Sequence, residues 1–255
     1  MFITHNGAQI FTVSFGGGAR TLLALGGWVG SWELWAPPFA ALSQSWRTVG
    51  FDHRGCGAAI APVDTITMPN MVADVLAVAD AMGIGQCVLA AESSGVAVAL
   101  QAALTHPERF TGLVCVSGVY HRPASAGPDP FVASLRANYR ATLAGFVNAC
   151  VPEPDSDAIR HWGRQIVYRA EQEAAIRLYE CVEGIDLRAQ VGQISQPTLI
   201  IHGTEDAIVP FAGAEWLATQ IPNNRFVRLE GTGHVPTMTR AGEVARAIDE
   251  FFPVA

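Results

Sequence analysis

The chain has 255 residues, of which 50% are hydrophobic and only 15% are charged, and its formal net charge is −7. This length and composition fit one large α/β domain, with or without a moderate insertion, and argue against intrinsic disorder. The acidic balance gives no reason to expect a nucleic-acid partner, because such partners normally require a basic surface.

Targeting and redox signals are sparse. Residues 1–10 lack the basic segment and long apolar run of a signal peptide, and no apolar run approaches the roughly 20 residues needed to span a bilayer. The five cysteines are scattered, odd in number and free of CxxC spacing, so we expect neither a disulfide framework nor a zinc site. We therefore expect a reduced, cytoplasmic setting without membrane contact.

Short apolar runs alternate with stretches of helical periodicity, which is typical of a mostly parallel sheet flanked by helices. The runs are apolar on both sides and end at Gly, Asp, Glu or Ser, as fully buried parallel strands do. The predicted strands cover residues 9–14, 21–25, 48–52, 86–91, 112–117, 198–202 and 225–230. The predicted helices cover residues 68–82, 94–105, 212–220 and 242–252.

Residues 119–192 break this alternation, because they contain no strand candidate. The segment opens with a Pro- and Gly-rich stretch at 121–130 and continues as helical sequence interrupted at 151–154. We interpret it as a helical insertion packed over one end of the sheet, with ordinary crossover helices as the alternative. The predicted core then comprises residues 1–118 and 193–255.

The most informative stretch runs from Ala91 to Gly95, where an apolar strand leads directly into a helix. A sharp turn there projects Ser93 above the carboxyl edge of the sheet, and it requires small residues two positions on either side. The free N–H groups at the start of the helix can stabilise an anion next to that hydroxyl. A serine that serves only as a helix N-cap would produce the same local pattern.

Two later strand ends carry the groups that a serine nucleophile needs, namely a base and an acid that orients it. Asp206 follows the strand at 198–202, and His234 lies in a Gly-rich loop after the strand at 225–230. Catalytic groups of open parallel sheets gather outside the carboxyl ends of the strands. We therefore expect Ser93, Asp206 and His234 on one edge of the sheet.

Neighbouring residues offer alternatives for these roles. Glu205 is the alternative acid beside Asp206, although the spacing to Val209 and Pro210 favours Asp206. Glu92 is expected to line the turn or form a local hydrogen bond. His53 and His202 also follow strands, and we interpret them as structural histidines. Ser94 contributes its backbone N–H rather than its hydroxyl.

Over almost its full length the chain resembles the α/β-hydrolase superfamily. The resemblance rests on five segments in the expected order: the oxyanion loop at 26–32, the Asp-x-Arg-Gly-x-Gly segment at 52–57, the nucleophile elbow at 91–95, the acid loop at 203–210 and the histidine loop at 233–234. It implies an α/β-hydrolase fold, a Ser93–His234–Asp206 triad, and residues 119–192 as a helical cap. It also implies an oxyanion hole made of the backbone N–H groups of Trp28 and Ser94.

Two positions depart from the family pattern. Ala91 replaces the first glycine of the elbow and is still small enough for the turn. Gly26 replaces the histidine that often precedes the oxyanion-loop glycine, so a hydrogen bond that commonly braces this loop is missing. Neither departure removes a reacting group.

The function implied is hydrolysis of a carboxylic ester or lactone through an acyl-enzyme, with a small carbonyl compound as substrate and no metal or organic cofactor. Carbon–carbon bond hydrolysis of diketone-like substrates and slow-turnover ligand sensing are the alternatives, and the oligomeric state stays open. Expected substrate contacts are Trp28, Tyr139, Trp162 and Val235. Phe146, Tyr168 and Tyr179 either face the pocket or pack the cap helices.

Overall fold

The computed structural model describes residues 1–254, which form one eight-stranded sheet with helices on both faces. The strands are β1 (Phe2–His5), β2 (Ala8–Phe15), β3 (Arg20–Leu25), β4 (Trp46–Asp52), β5 (Cys87–Glu92), β6 (Phe110–Val116), β7 (Thr198–Gly203) and β8 (Asn224–Leu229). The helices are α1 (Ala36–Leu42), α2 (Met68–Ala81), α3 (Gly95–Thr105), α4 (Pro130–Ala137), α5 (Tyr139–Cys150), α6 (Asp157–Val167), α7 (Gln172–Glu180), α8 (Phe211–Gln220), α9 (Pro236–Thr239) and α10 (Ala241–Phe251).

The sheet order is β1-β2-β4-β3-β5-β6-β7-β8. Strand β2 runs antiparallel to β1 and to β4, whereas the six strands from β3 to β8 are parallel to one another. The predicted mostly parallel sheet with flanking helices is therefore confirmed. Because the six strands share one direction, the loops after β3, β5, β6, β7 and β8 meet at one edge.

The core lies on both faces of the sheet because successive strand residues point to opposite sides. In β3, Leu23 and Leu25 pack with the cluster that includes α2, α3 and α8. Leu22 and Ala24 instead face α1 and α10. Helices on both faces explain why the central strands read as continuous apolar runs rather than as alternating ones.

Outside the insertion, three elements were not predicted, namely β1, α1 and the four-residue helix α9. Strand β1 is a four-residue edge strand whose residues alternate between exposed and buried, so it carries no continuous apolar run. Helix α1 is only seven residues long and has proline in its first turn, where the missing N–H costs nothing. All three are too short for periodicity to reveal them.

Helices α4 to α7 occupy the segment between β6 and β7, and within it the only extended pairing among the described residues is an isolated bridge between His121 and Asp186. The indole N–H of Trp28, in the loop after β3, donates to the carbonyl of Ala175 in α7 over 2.7 Å. The insertion therefore packs directly on the carboxyl edge of the sheet. No helix among residues 1–254 has the length and apolarity needed to cross a bilayer.

Candidate active site

Ser93 lies between β5 and α3 with a φ of +55°, in the left-handed region. Such a conformation costs a non-glycine residue about 1–3 kcal/mol unless the surroundings hold it. Here the N–H of Ser93 donates to the carbonyl of Val116 over 2.9 Å, and the carbonyl of Ser93 accepts from Val119 over 3.0 Å. Strand β6 and its following loop therefore hold the strained turn.

Two glycines allow the loop after β3 to pack against this turn. A Cβ at Gly95 would lie 2.4 Å from the carbonyl oxygen of Gly26, and a Cβ at Gly27 would lie 2.6 Å from the Cβ of Ser93. Side-chain Cβ atoms essentially never approach other atoms this closely, so a larger residue at either position would force the loop or the turn to shift. The small residue predicted two positions after Ser93 is therefore Gly95, and the group that it must accommodate is the Gly26 carbonyl.

The structure brings Ser93, His234 and Asp206 together in one hydrogen-bonded chain. The Nε2 atom of His234 lies 2.8 Å from the Oγ of Ser93, and its Nδ1 lies 2.8 Å from the Oδ2 of Asp206. The three residues follow β5, β8 and β7, at the same edge of the sheet. This arrangement allows a proton to pass from the hydroxyl to the imidazole.

The Asp206 carboxylate is held by four hydrogen-bond partners. Its Oδ1 accepts from the backbone N–H groups of Ile208 and Val209, over 2.8 and 2.9 Å. Its Oδ2 lies 2.8 Å from His234 Nδ1 and 3.0 Å from His202 Nε2. Burial tends to raise the pKa of Asp206, but the hydrogen bonds from His202, His234 and the backbone outweigh it, and the pKa is lowered. Asp206 is therefore ionised at neutral pH.

The histidine loop is anchored by the insertion. The backbone N–H of His234 donates to the carbonyl of Cys150 over 2.9 Å, and that of Gly233 donates to the Glu153 carboxylate over 2.8 Å. Both acceptors lie at or just beyond the end of α5. The position of the imidazole consequently depends on how the insertion packs.

The two residues expected to supply the oxyanion donors share a cavity with Ser93. Trp28 and Ser94 line the same cavity as Ser93. Within residues 1–254, neither backbone N–H donates a hydrogen bond to another protein group. Val29, in the same turn as Trp28, has a φ of +46°, which is unusual for a β-branched residue and marks a second strained position beside the site.

A large cavity of about 610 Å³ opens between Ser93 and the insertion. The indole of Trp28 forms edge contacts with the rings of Phe146 and Phe131, with centroids 4.9 and 5.2 Å apart. Further wall residues come from the loops after β6 and β7 and from the insertion, and they include Tyr120, Tyr179, Val182, Ile208 and Val209. The cavity wall is mainly aromatic and aliphatic.

Ser93 also lines a second cavity, of about 50 Å³. Its wall includes His234, Val235 and Glu92, with apolar residues of α5, α6 and α9. The hydroxyl of Thr237 lies 3.0 Å from both carboxyl oxygens of Glu92. Burial raises the pKa of Glu92 to about 8, so this carboxyl is largely neutral at pH 7.

The expected substrate contacts are divided by the structure. Trp28 lines both cavities, and Val235 lines the small one. Phe146 lines both cavities and Tyr179 the large one, whereas Tyr168 lies outside both.

Tyr139 and Trp162 line neither of these two cavities, and their contact with substrate stays a prediction. The Tyr139 hydroxyl donates to the carbonyl of Ala170 over 2.6 Å, and the Trp162 indole N–H points to the Glu33 carboxylate at 3.5 Å. In both side chains the polar group contacts another group of the protein. An aromatic residue in an amphipathic helix gives no sign of which face meets the cavity.

Three further polar residues at the site were assigned only local or structural roles from the sequence. His53 contacts the loop after β3, His202 contacts Asp206, and Glu92 lines the small cavity. Their positions after β4, within β7 and at the end of β5 were the available signal. Glu205, the alternative acid, is exposed. Among residues 1–254, no three His, Cys, Asp or Glu side chains converge as a metal-binding group.

Comparisons with known proteins agree with this geometry. A family model described as alpha/beta hydrolase fold matches residues 20–164, and one described as TAP-like protein matches residues 179–253. The RutD protein of Caulobacter vibrioides, which bears the name of a carbamate hydrolase, is 29% identical over 241 residues, with 87% of this chain and 86% of that one covered.

Two other similar proteins are named as ester-cleaving enzymes. The pimeloyl-acyl-carrier-protein methyl ester esterase of Nitrosomonas europaea is 29% identical over 240 residues, which cover 88% of this chain and 92% of that one. The crystal structure of an enol-lactonase from Burkholderia xenovorans superposes with a TM-score of 0.91 at 23% identity, covering 98% and 99% of the two chains. This chain belongs to the alpha/beta hydrolase family.

Proposed function

We propose that the chain is a serine hydrolase that cleaves carboxylic esters or lactones through an acyl-enzyme. The observation that carries the proposal is the continuous hydrogen-bonded chain from Ser93 through His234 to Asp206, beside a cavity of about 610 Å³. A serine hydroxyl is a weak nucleophile by itself, and an adjacent base of this kind activates it.

In the proposed reaction His234 removes the proton of Ser93 as the hydroxyl attacks the substrate carbonyl. Asp206 stays ionised, holds the imidazole in the required tautomer and stabilises its charged form. The tetrahedral intermediate collapses when His234 returns the proton to the leaving oxygen. Water then attacks the acyl-enzyme by the same route and regenerates Ser93.

The negative charge that develops on the carbonyl oxygen needs donors that are already in place. We assign this role to the backbone N–H groups of Trp28 and Ser94, two residues that line the same cavity as Ser93. Removing one such donor typically slows turnover by about 10²- to 10³-fold. The start of α3, directed at the same point, adds its dipole.

We further propose that residues 119–192 act as a cap on a core formed by residues 1–118 and 193–255. The cap contributes Phe131, Phe146 and Tyr179 to the large cavity and anchors His234 through Cys150. The apolar walls suit an aromatic or aliphatic acyl group. The ester-cleaving names of the similar proteins support the same chemistry.

A fluorophosphonate probe and a substrate panel test the proposal. The panel contains methyl 4-phenylbutanoate, a phenyl-substituted butyrolactone and a vinylogous diketone, and turnover is followed by acid or product release. We expect ester or lactone turnover and labelling of Ser93. Ser93→Ala should lower kcat by about 10⁴-fold or more and abolish labelling. Ser134→Ala, in the exposed part of α4, is the matched control and should behave like the wild type.

The other outcomes separate the alternatives. Labelling of Ser93 without turnover of any compound would favour a ligand sensor. Preferential cleavage of the diketone would indicate carbon–carbon bond hydrolysis. Absence of labelling would contradict the assignment of Ser93 as nucleophile.

A further inference from the structure

Ser93 lines two cavities that differ about twelvefold in volume, at about 610 and 50 Å³. The large cavity is lined by the loops after β6 and β7, and the small one by the histidine loop and by α5 and α6. An ester has two parts on either side of its carbonyl carbon. The unequal volumes therefore allow only one orientation for an ester whose two parts differ in size.

The direction of proton transfer decides which part enters which cavity. When the tetrahedral intermediate collapses, the bond between the carbonyl carbon and the alkoxy oxygen breaks and its electron pair stays on that oxygen. The oxygen takes the proton carried by Nε2 of His234, while the acyl group remains bonded to Ser93. The leaving oxygen must therefore face His234.

His234 lines the small cavity and not the large one. An alkoxy oxygen that faces the imidazole consequently directs its carbon chain into the small cavity. The acyl chain then extends to the other side, among Trp28, Phe131 and Tyr179. The catalytic histidine and the size difference together define an alcohol side and an acyl side.

The small cavity accepts only a short, uncharged group. A cavity needs about 10–15 Å³ of volume to hold one water molecule, so a cavity of about 50 Å³ holds only a few non-hydrogen atoms. Its wall includes buried apolar side chains such as Val147, Ile166 and Val167. The ionisable residues in the wall of the small cavity are His234, Cys150 and Glu92. Burial and proximity to Asp206 raise the pKa of Glu92 to about 8.

We propose that the enzyme is selective for esters of short primary alcohols, such as methyl and ethyl esters, whose acid part is bulky and apolar. This proposal rests on the serine hydrolase function proposed above. It assigns the leaving alcohol to the small cavity beside His234 and the acyl chain to the large cavity beside Phe131 and Tyr179.

A pair of constitutional isomers tests the orientation directly. Methyl 4-phenylbutanoate and 3-phenylpropyl acetate contain the same atoms, but the phenyl group lies on the acyl side of the first and on the alcohol side of the second. We expect kcat/KM to be at least tenfold higher for the methyl ester. Along the methyl, ethyl, butyl and hexyl esters of 4-phenylbutanoic acid, kcat/KM should fall by about tenfold or more after ethyl.

Two matched variants connect the selectivity to the cavities. Val147 lines only the small cavity and Val182 only the large one, and both side chains are buried. Val147→Ala should raise kcat/KM for the butyl ester relative to the methyl ester by about fivefold or more. Val182→Ala makes the same change of size on the acyl side and should leave that ratio at its wild-type value.

The outcomes distinguish this proposal from the one on which it rests. If the acetate is cleaved faster than the methyl ester, or if alcohol length has no effect, the assignment of the small cavity is overturned while ester hydrolysis stands. A change of the butyl-to-methyl ratio in Val182→Ala but not in Val147→Ala would also overturn it. If no ester is cleaved and no probe labels Ser93, the hydrolase function itself fails.

Discussion

The Nε2 atom of His53 donates a hydrogen bond to the carbonyl oxygen of Gly27 over 2.9 Å. This carbonyl belongs to the same peptide group as the N–H of Trp28, which we assign to the oxyanion hole. A hydrogen bond to one end of a peptide group holds its plane and polarises the N–H at the other end. His53 therefore braces the oxyanion loop from β4, where Gly26 leaves the family's usual brace missing.

The surroundings of His53 set its protonation state. The imidazole is completely buried, and desolvation lowers its pKa, so the ring is neutral at pH 7. The carbonyl of Gly27 can only accept, so the proton is on Nε2. Cys56 lies 3.5 Å from Nδ1, and burial raises the pKa of its thiol well above the ordinary value, so the sulfur stays protonated and uncharged.

Replacing His53 should weaken catalysis more than substrate binding. In His53→Leu the Gly27 carbonyl loses its donor, and we expect kcat to fall by about 10- to 100-fold with KM changed less than threefold. A glutamine amide can place a donor near the position of Nε2, so His53→Gln should recover most of the loss. Steady-state kinetics with methyl 4-phenylbutanoate measure both variants.

A boronic acid that forms a tetrahedral adduct with Ser93 separates this role from a general loss of packing. Its inhibition constant should rise in parallel with the fall in kcat/KM, because both depend on the oxyanion donors. An equal kcat in His53→Leu and wild type would refute the positioning role. A fall in kcat explained entirely by a lower midpoint of unfolding, with no change in the inhibition constant, would also refute it.

Gly27→Ala should disable the site, since the added Cβ would lie 2.6 Å from the Cβ of Ser93. We expect kcat/KM to fall by about 100-fold or more, with about 1–3 kcal/mol lost from the free energy of unfolding. Gly17→Ala is the matched control, because a Cβ there has no neighbour within 4 Å. Similar activity in the two variants would show that the loop after β3 can move away from Ser93 at little cost.

Glu92→Gln should change how stability depends on pH. The pKa of Glu92 is about 8 in the folded protein against 4.5 as its ordinary value, so between these pH values the folded state retains a proton that the unfolded state has released. The wild type therefore loses stability as pH rises from about 4.5 to 8, by up to about 1.4 kcal/mol per pH unit. Glutamine does not titrate and still accepts from Thr237.

Urea unfolding at pH 5, 6, 7 and 8 measures this difference. The free energy of unfolding of Glu92→Gln relative to wild type should increase steadily across the series. Glu108→Gln, on an exposed turn after α3, controls for the loss of a surface carboxylate. A constant difference between Glu92→Gln and wild type would mean that Glu92 is ionised in the folded protein over the whole range.

His202→Leu should reduce turnover because Asp206 Oδ2 loses one of its two imidazole partners. We expect kcat to fall by about tenfold with little change in KM, compared with about 10⁴-fold for Asp206→Asn. His202→Gln retains an N–H donor and should lie between His202→Leu and wild type. Wild-type kcat in His202→Leu would show that Asp206 is held sufficiently by its backbone donors and His234.

Much of the fold was predictable because the relevant signals are local in sequence. Short runs that are apolar on both faces of the strand identify the central parallel strands, and the small residues around Ser93 identify a tight strand-to-helix turn. The order of Ser93, Asp206 and His234, each after a strand, indicated that all three belong to one edge. Strand β1 and helix α1 were not predicted, because each is too short to show a periodic pattern.

The contacts that determine selectivity were not predictable, because they join segments far apart in sequence. Nothing near Tyr139 or Phe146 indicates that the first packs within the insertion while the second lines the cavities. Likewise, the sequence predicts at most a local hydrogen bond for Glu92, whereas its observed partner is Thr237 in the distant helix α9.

By itself, the sequence determined the parallel sheet, the residue types of the site and the edge at which they meet, since periodicity and strand direction follow from neighbouring residues. Only the tertiary structure decided how the insertion anchors His234 through Cys150, which histidine braces the oxyanion loop, and how unequal the two cavities are. Those features depend on packing between distant segments, and packing is a property of the whole fold rather than of any stretch of chain.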